Sequence, residues 1–191
     1  MEEELIGNEF RLRRKIGAGS FGEIYAGESI KTHRRVAIKK ESIDANTSQL
    51  PYESKLYQIL QGGVGIPNFY WFGKNHENHM LVIDLLGKSL ETLFEKCNHK
   101  FSLKTVLMLA EQMISLIQFF HSKNLIHRDI KPDNFVVGFG SKSNQIFIID
   151  YGLAKRYRNP FSNQHISFSP NKSVLIRLFS SVRDEFSFER F

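Results

Sequence analysis

The chain has 191 residues, 41% of them hydrophobic and 24% charged, with 26 Lys and Arg against 20 Asp and Glu, a formal charge of +6 and a single cysteine. That length holds one domain or one and a fraction, and the composition excludes wholesale disorder and an internal disulfide framework. The basic balance suits anionic partners such as nucleotides, phosphopeptides, acidic proteins or nucleic acid, without choosing among them.

The chain opens Met1-Glu2-Glu3-Glu4 with no apolar segment behind it. No stretch reaches the ~18 uncharged apolar residues of a membrane-spanning helix. The lone Cys97 is expected to be a buried small hydrophobe in a reducing compartment, which places the protein in the cytoplasm, the nucleus or both.

Phe10, Leu12 and Ile16 lead into a glycine-rich turn, Gly17-Ala18-Gly19-Ser20-Phe21-Gly22, and short strands are expected at Glu23-Ile24-Tyr25-Ala26 and Val36-Ala37-Ile38-Lys39 as an antiparallel meander. Between Ser48 and Gln61, Tyr52, Leu56, Ile59 and Leu60 fall at helical spacing, with Pro51 in the first turn and Gly62-Gly63 as the stop. Phe69-Tyr70-Trp71-Phe72 and His79-Met80-Leu81-Val82-Ile83 are expected to complete a small sheet, and Asp84-Leu85-Leu86-Gly87 interrupts the pattern. Ser102 then caps a long helix with an apolar stripe of Val106, Ala110, Met113, Ile117 and Phe120. Short buried strands are expected at Phe135-Val136-Val137 and Ile146-Phe147-Ile148-Ile149, the second running into Asp150. A β-rich lobe therefore precedes an α-rich one. No glycine follows Gly152, and from Ser173 to Phe191 serines and phenylalanines alternate with charges without sustained period, so no packed element is expected there.

The glycine turn by itself also fits a dinucleotide-binding fingerprint, in which Glu41 would serve as the ribose acid. That fold requires the turn to open a helix, whereas Ile24-Tyr25-Ala26 continues as a strand. A glycine loop between two strands lets backbone N–H groups fold over phosphates. Lys39 ends a strand where its ammonium reaches a phosphate, and Glu53 on the next helix is placed to pair with it; a surface lysine and a surface glutamate are the bland alternative. His127-Arg128-Asp129-Ile130-Lys131-Pro132-Asp133-Asn134 offers a base, a cation and a metal-ligating amide in one loop, and Asp150-Tyr151-Gly152 ends an apolar strand with a carboxylate suited to a metal. Only the +6 charge and a basic cluster, Arg11-Leu12-Arg13-Arg14-Lys15, favour nucleic acid, and without a recognised fold such a cluster is a solvated face.

Each signal has a bland alternative on its own, but their order and spacing together match the signature set of protein kinases. The chain resembles protein kinases, and more narrowly the casein kinase I family, its alpha-like members most of all. The narrower resemblance rests on Lys15-Ile16-Gly17-Ala18-Gly19-Ser20-Phe21-Gly22, Tyr52-Glu53-Ser54-Lys55-Leu56-Tyr57, Gln61-Gly62-Gly63-Val64-Gly65-Ile66-Pro67 and Gln164-His165-Ile166. It implies an α+β bilobal fold: residues 10–86 as the β-rich N-terminal lobe, 87–172 as an incomplete α-rich C-terminal lobe, and 173–191 as a divergent, disordered tail. After Lys172 the family's continuation is replaced by Ser173-Val174-Leu175-Ile176-Arg177-Leu178, so the helices that would cover the 102–122 helix, and the platform that binds substrate peptide, are expected to be missing.

The resemblance also implies site roles. Gly17, Gly19, Ser20 and Gly22 would cover the phosphates of ATP, and Lys39, oriented by Glu53, would hold them. Asn134 and Asp150 would hold Mg²⁺; Asp129 would accept the substrate hydroxyl proton, with Lys131 beside the γ-phosphate. Ile16, Ile24, Ala37, Val136 and Ile149 would sandwich adenine, Asp84, Leu85 and Leu86 would form the hinge that reads its edge, and Ile83 would stand beside the pocket. His127 is expected in the core, and Tyr151 needs a partner for its hydroxyl if buried. The implied activity is transfer of the ATP γ-phosphoryl to Ser or Thr of acidic or phosphate-primed proteins, by a monomer with no nucleic-acid or membrane partner. The alternative is an impaired fragment that binds nucleotide or a partner protein.

Overall fold

The computed structural model describes residues 5–19, 22–45 and 48–167. Ser20 at the tip of the glycine turn and the 173–191 tail lie outside the described residues. Strands β1 (Phe10–Gly19), β2 (Gly22–Ser29), β3 (Arg35–Ser42), β4 (Phe69–Lys74) and β5 (Asn78–Asp84) make a five-stranded antiparallel sheet in the order β1-β2-β3-β5-β4. The first three strands run as the expected meander. Helix α1 (Leu50–Leu60) then carries the chain across, so β5 rather than β4 pairs with β3.

Strand periodicity sorts the residues of this sheet onto two faces. On one, Val36, Ile38, Met80 and Val82 join Ile6 and Phe10 in a buried cluster. On the other, cross-strand register sets Ile24 opposite Lys39, Ala26 opposite Ala37, and Leu81 and Ile83 opposite Lys39 and Ala37. This second face meets α1. The helix buries Leu50, Glu53, Ser54, Leu56, Tyr57 and Leu60, while Tyr52 and Ile59, expected on the apolar stripe, are each 41% exposed. A stripe drawn from apolar residues alone rotates the helix wrongly, because its buried face contains a carboxylate.

Beyond β5 the chain becomes helical. A two-turn helix, α2 (Leu90–Lys96), starts at Ser89, whose side chain accepts the Thr92 N–H; it is too short for its period to be read in the sequence. Cys97 at its end is exposed, not buried as expected. Helix α3 (Leu103–Ser122) starts where expected, Ser102 accepting the Thr105 N–H at 3.2 Å. Its orientation differs from the expected stripe. Of Val106, Ala110, Met113, Ile117 and Phe120 only Phe120 is buried, with Leu116 beside it, while Val106, Ala110, Met113 and Ile117 line an open apolar groove with Phe101, Leu109 and Ile114. Leu103 at 74%, Ile114 at 66% and Leu107 at 61% exposure show how little of α3 is covered. By length and composition α3 would also reach across a bilayer, but it is tied into this domain by Phe120 and Leu116 and by Gln112, which bonds Asn144 O and the Ile146 N–H.

Two small antiparallel pairs complete the lower part: β6 (Leu125–Ile126) with β9 (Lys155–Arg156), and β7 (Phe135–Val137) with β8 (Ile146–Ile148). One core runs through both parts, joining Leu56, Tyr57 and Leu81 to Phe120, Phe135, Ile148 and Tyr151. Each such side chain contributes about 1.5–3 kcal/mol by leaving water.

Candidate active site

Lys39 lies at the centre of the cleft face. Its Nζ is 2.7 Å from Glu53 Oε2 and 3.1 Å from Asp150 Oδ1, so β3, α1 and the end of β8 converge on one ammonium. Burial works against charge on Lys39, but Glu53 and Asp150 outweigh it and hold the ammonium above its ordinary value. Burial likewise pushes Glu53 up, with Lys39 opposing. It also pushes on Asp150, where Lys39 wins and keeps the carboxyl below the usual carboxylate range. The bland alternative of a surface lysine and glutamate is excluded, since the Glu53 side chain is 2% exposed and that of Lys39 15%.

Above Lys39, Gly17 and Gly19 lie in β1 and Gly22 opens β2, with Gly19 paired to Gly22 across the hairpin. The turn therefore joins two strands, which rules out the dinucleotide arrangement. Gly22 has φ +141, and a Cβ there would lie 2.1 Å from the Lys40 carbonyl oxygen, so only glycine closes the hairpin.

The loop after β6 holds the second group. Asp129 Oδ2 accepts from Lys131 Nζ at 2.9 Å and from Asn134 Nδ2 at 2.8 Å, and the same Asn134 nitrogen reaches the Asp129 carbonyl oxygen at 2.8 Å. With Nδ2 committed to Asp129, Asn134 keeps Oδ1 for another partner. The β6–β9 pair ties this loop to the segment after Asp150, and Arg128 Nε donates to Leu153 O at 2.5 Å across the same junction. Arg128 and Asp150 both have positive φ, 68 and 65. For non-glycine residues such backbone costs about 1–3 kcal/mol and marks a position held by its surroundings.

The expected adenine lining divides in two. Ile24, Ala37 and Ile149 are half-buried and Val136 is buried, while Ile16 on β1 is 42% exposed. Leu85 and Leu86 are half-buried between β5 and α2. The Asp84 carboxylate is bound by the Tyr70 hydroxyl and by Asn68 N and Nδ2 at 2.9 and 2.8 Å. Its amide donates to Asn68 O at 3.1 Å.

Tyr57 is the residue that the pattern of apolar positions overlooks. It stacks on Tyr151 with ring centroids 4.1 Å apart, and its hydroxyl oxygen accepts the Asp150 N–H at 3.4 Å. Tyr151 is fully buried, donates its hydroxyl to Ile148 O at 2.8 Å and meets Phe120 and His127 edge-on. The signal was the four-residue interval from Glu53 to Tyr57, which puts both on one helix face.

His127 is in the core, as expected. Its Nε2 lies 3.1 Å from Ile149 O and its Nδ1 accepts the Asp129 N–H at 3.3 Å, which assigns the proton to Nε2. Burial pushes His127 below its ordinary value of 6.5. Its contribution to stability is therefore complete above that pH and is lost as the pH falls through the folded-state value. Melting temperature is expected to fall between pH 7.5 and pH 5.5, and His127→Phe to flatten that fall. Equal slopes for the two proteins would contradict the assignment.

Two oxygen donors, Asp150 and Asn134 Oδ1, suit a magnesium ion that completes its shell with phosphate oxygens and water. No cluster of three or more His, Cys, Asp or Glu ligands exists among the described residues. The protein kinase domain family model matches residues 10–171, from the first residue of β1 to one short of Lys172, where the sequence departs from the resemblance. A match over most of the chain, on a β-rich lobe joined to a helical one with the strand lysine in contact with the aspartate that follows β8, makes this chain a member of the protein kinase domain family.

Proposed function

We propose that the protein is a serine/threonine kinase of casein kinase I type that binds ATP with Mg²⁺ and phosphorylates acidic or phosphate-primed proteins. The observation that carries the proposal is the convergence of Lys39, Glu53 and Asp150, beside a loop in which Lys131 and Asn134 both hold Asp129. Bound in this cleft, Mg-ATP supplies the phosphoryl group, and the cation offsets its charge. The chain's own residues do the positioning that such a loose transition state requires. Lys39 holds phosphate oxygens, kept charged and oriented by Glu53. Asp150 and Asn134 Oδ1 hold the cation. Asp129 would accept the proton of the attacking hydroxyl, and Lys131, 2.9 Å from Asp129, would supply a second cation toward the transferred phosphoryl group.

The four quoted casein kinase I segments and Lys131 two residues after Asp129 support the narrower assignment. The single cysteine suits a reducing compartment such as the cytoplasm or nucleus. Purified protein is expected to label casein from Mg-ATP on serine and threonine, and to prefer a peptide with a phosphoserine ahead of the target over its unprimed form. Labelling confined to tyrosine, or indifferent to priming, would overturn this assignment. One observation favours a second reading, a nucleotide-binding protein that docks a partner: the open apolar groove of α3. Its signature would be a Mg-ATP-dependent rise in melting temperature without phosphoryl transfer.

A further inference from the structure

Strand β3 carries a second residue directed at α1. Lys39 and Glu41 are two apart and so face the same side of the sheet, yet only Lys39 belongs to the kinase signature. Glu41 is 3% exposed. Its Oε2 accepts the Ser48 hydroxyl at 2.7 Å and the Leu50 N–H at 2.9 Å, and its Oε1 accepts the Gln49 N–H at 3.0 Å.

These are bonds that a helix ordinarily makes for itself. Gln49, at the N-cap of α1, is in helical conformation with φ −103 and ψ −23, and its side chain makes no capping bond. The N–H groups at the helix start would otherwise be orphaned in a buried site. A carboxylate lent by β3 satisfies them where negative charge is favoured. Ser48 Oγ also lies 3.2 Å from His79 Nδ1, which extends the clamp to β5.

The displaced Gln49 side chain points the other way. Its Oε1 is buried without a hydrogen-bond partner, and a Cβ on Gly152 would lie 2.5 Å from it. The start of α1 is thereby wedged between β3 and the residues that follow Asp150. Glu53 sits one turn further along the helix. A displacement of α1 by about 1 Å would take the 2.7 Å Lys39–Glu53 contact out of hydrogen-bonding range.

We propose that Glu41 is a positioning residue: by capping α1 from the strand that bears Lys39, it sets where along β3 the helix sits and so brings Glu53 to Lys39. The proposal rests on reading Lys39 as the residue that holds phosphate. A cap that served only global stability would lower the melting temperature and leave ligand preference unchanged. A positioning role changes the affinity for Mg-ATP and not that for adenosine, which lacks phosphates.

The test is titration of Mg-ATP and of adenosine into wild type, Glu41→Gln, Glu53→Gln and the double variant, at a temperature where all are folded. Glu41→Gln is expected to lower the ATP-to-adenosine affinity ratio by roughly tenfold, in line with the loss of a buried charged cap, and the double variant to fall no lower than Glu53→Gln alone. Should Glu41→Gln fail to fold, Ser48→Ala removes one of the three bonds and is expected to lower the ratio about two- to threefold. An unchanged ratio in the folded variant, or additive losses in the double variant, overturns the proposal alone. A wild type with no preference for Mg-ATP over adenosine overturns the nucleotide reading and the proposal with it.

Discussion

Replacing Lys39 with methionine is expected to destabilise the fold by about 3–5 kcal/mol, the usual consequence of stripping one partner from a buried ion pair, and to abolish the Mg-ATP-dependent rise in melting temperature. The loss is large because Lys39 serves two carboxylates at once, Glu53 at 2.7 Å and Asp150 at 3.1 Å. Without the ammonium these two face each other in a site where burial already pushes Glu53 upward. The variant relieves the repulsion by protonating Glu53. A carboxyl raised in the folded state binds a proton that the unfolded chain releases, so the deficit grows as pH rises and shrinks as it falls. Denaturant unfolding of both proteins at pH 7.5 and pH 5 checks this. A gap that stays constant or widens on acidification would contradict it.

Asp129→Asn is expected to reduce phosphoryl transfer by about 10²- to 10⁴-fold, the range for a positioned general base, while the Mg-ATP-dependent stabilisation persists. Asparagine keeps an oxygen for Asn134 Nδ2 or Lys131 Nζ but cannot accept the hydroxyl proton. Lys39, Glu53 and Asp150 bond one another, and Asn134 Nδ2 keeps the carbonyl oxygen of residue 129 as an acceptor, so binding and turnover separate in this variant. Rates measured with Mg-ATP and casein, alongside thermal shifts, decide the matter. Undiminished labelling would remove Asp129 from the proposed role.

The cleft was legible to different depths. The hairpin glycines, Lys39 on a strand and the 127–134 loop could be placed because each depends on neighbours within a few residues, although β3 runs on to Ser42 and so does not end at Lys39 as expected. Gly22 is glycine because its own φ demands it. Ser102 caps α3 through an N–H three residues away. Tyr52 and Ile59, the exposed members of the expected stripe of α1, show where this fails: they keep the helical interval, but the buried side of the helix was chosen by the Glu53–Lys39 pair and the Tyr57–Tyr151 stack. Asp84 shows the same limit, since no local pattern foretells that Tyr70 and Asn68 hold its carboxylate.

The amino-acid sequence by itself determined the kinase signature, the order of the longer strands and helices, and which residues had chemistry to offer, because strand alternation, helix caps and glycine backbone conformations are short-range properties. Which faces of α1 and α3 are buried, that β5 separates β3 from β4, that Cys97 is exposed, and that Glu41 rather than Gln49 caps α1 were decided only in three dimensions. Those outcomes depend on partners distant in the chain, as when Lys39 meets Asp150, and on the free energy of satisfying a buried charge, which no local pattern records.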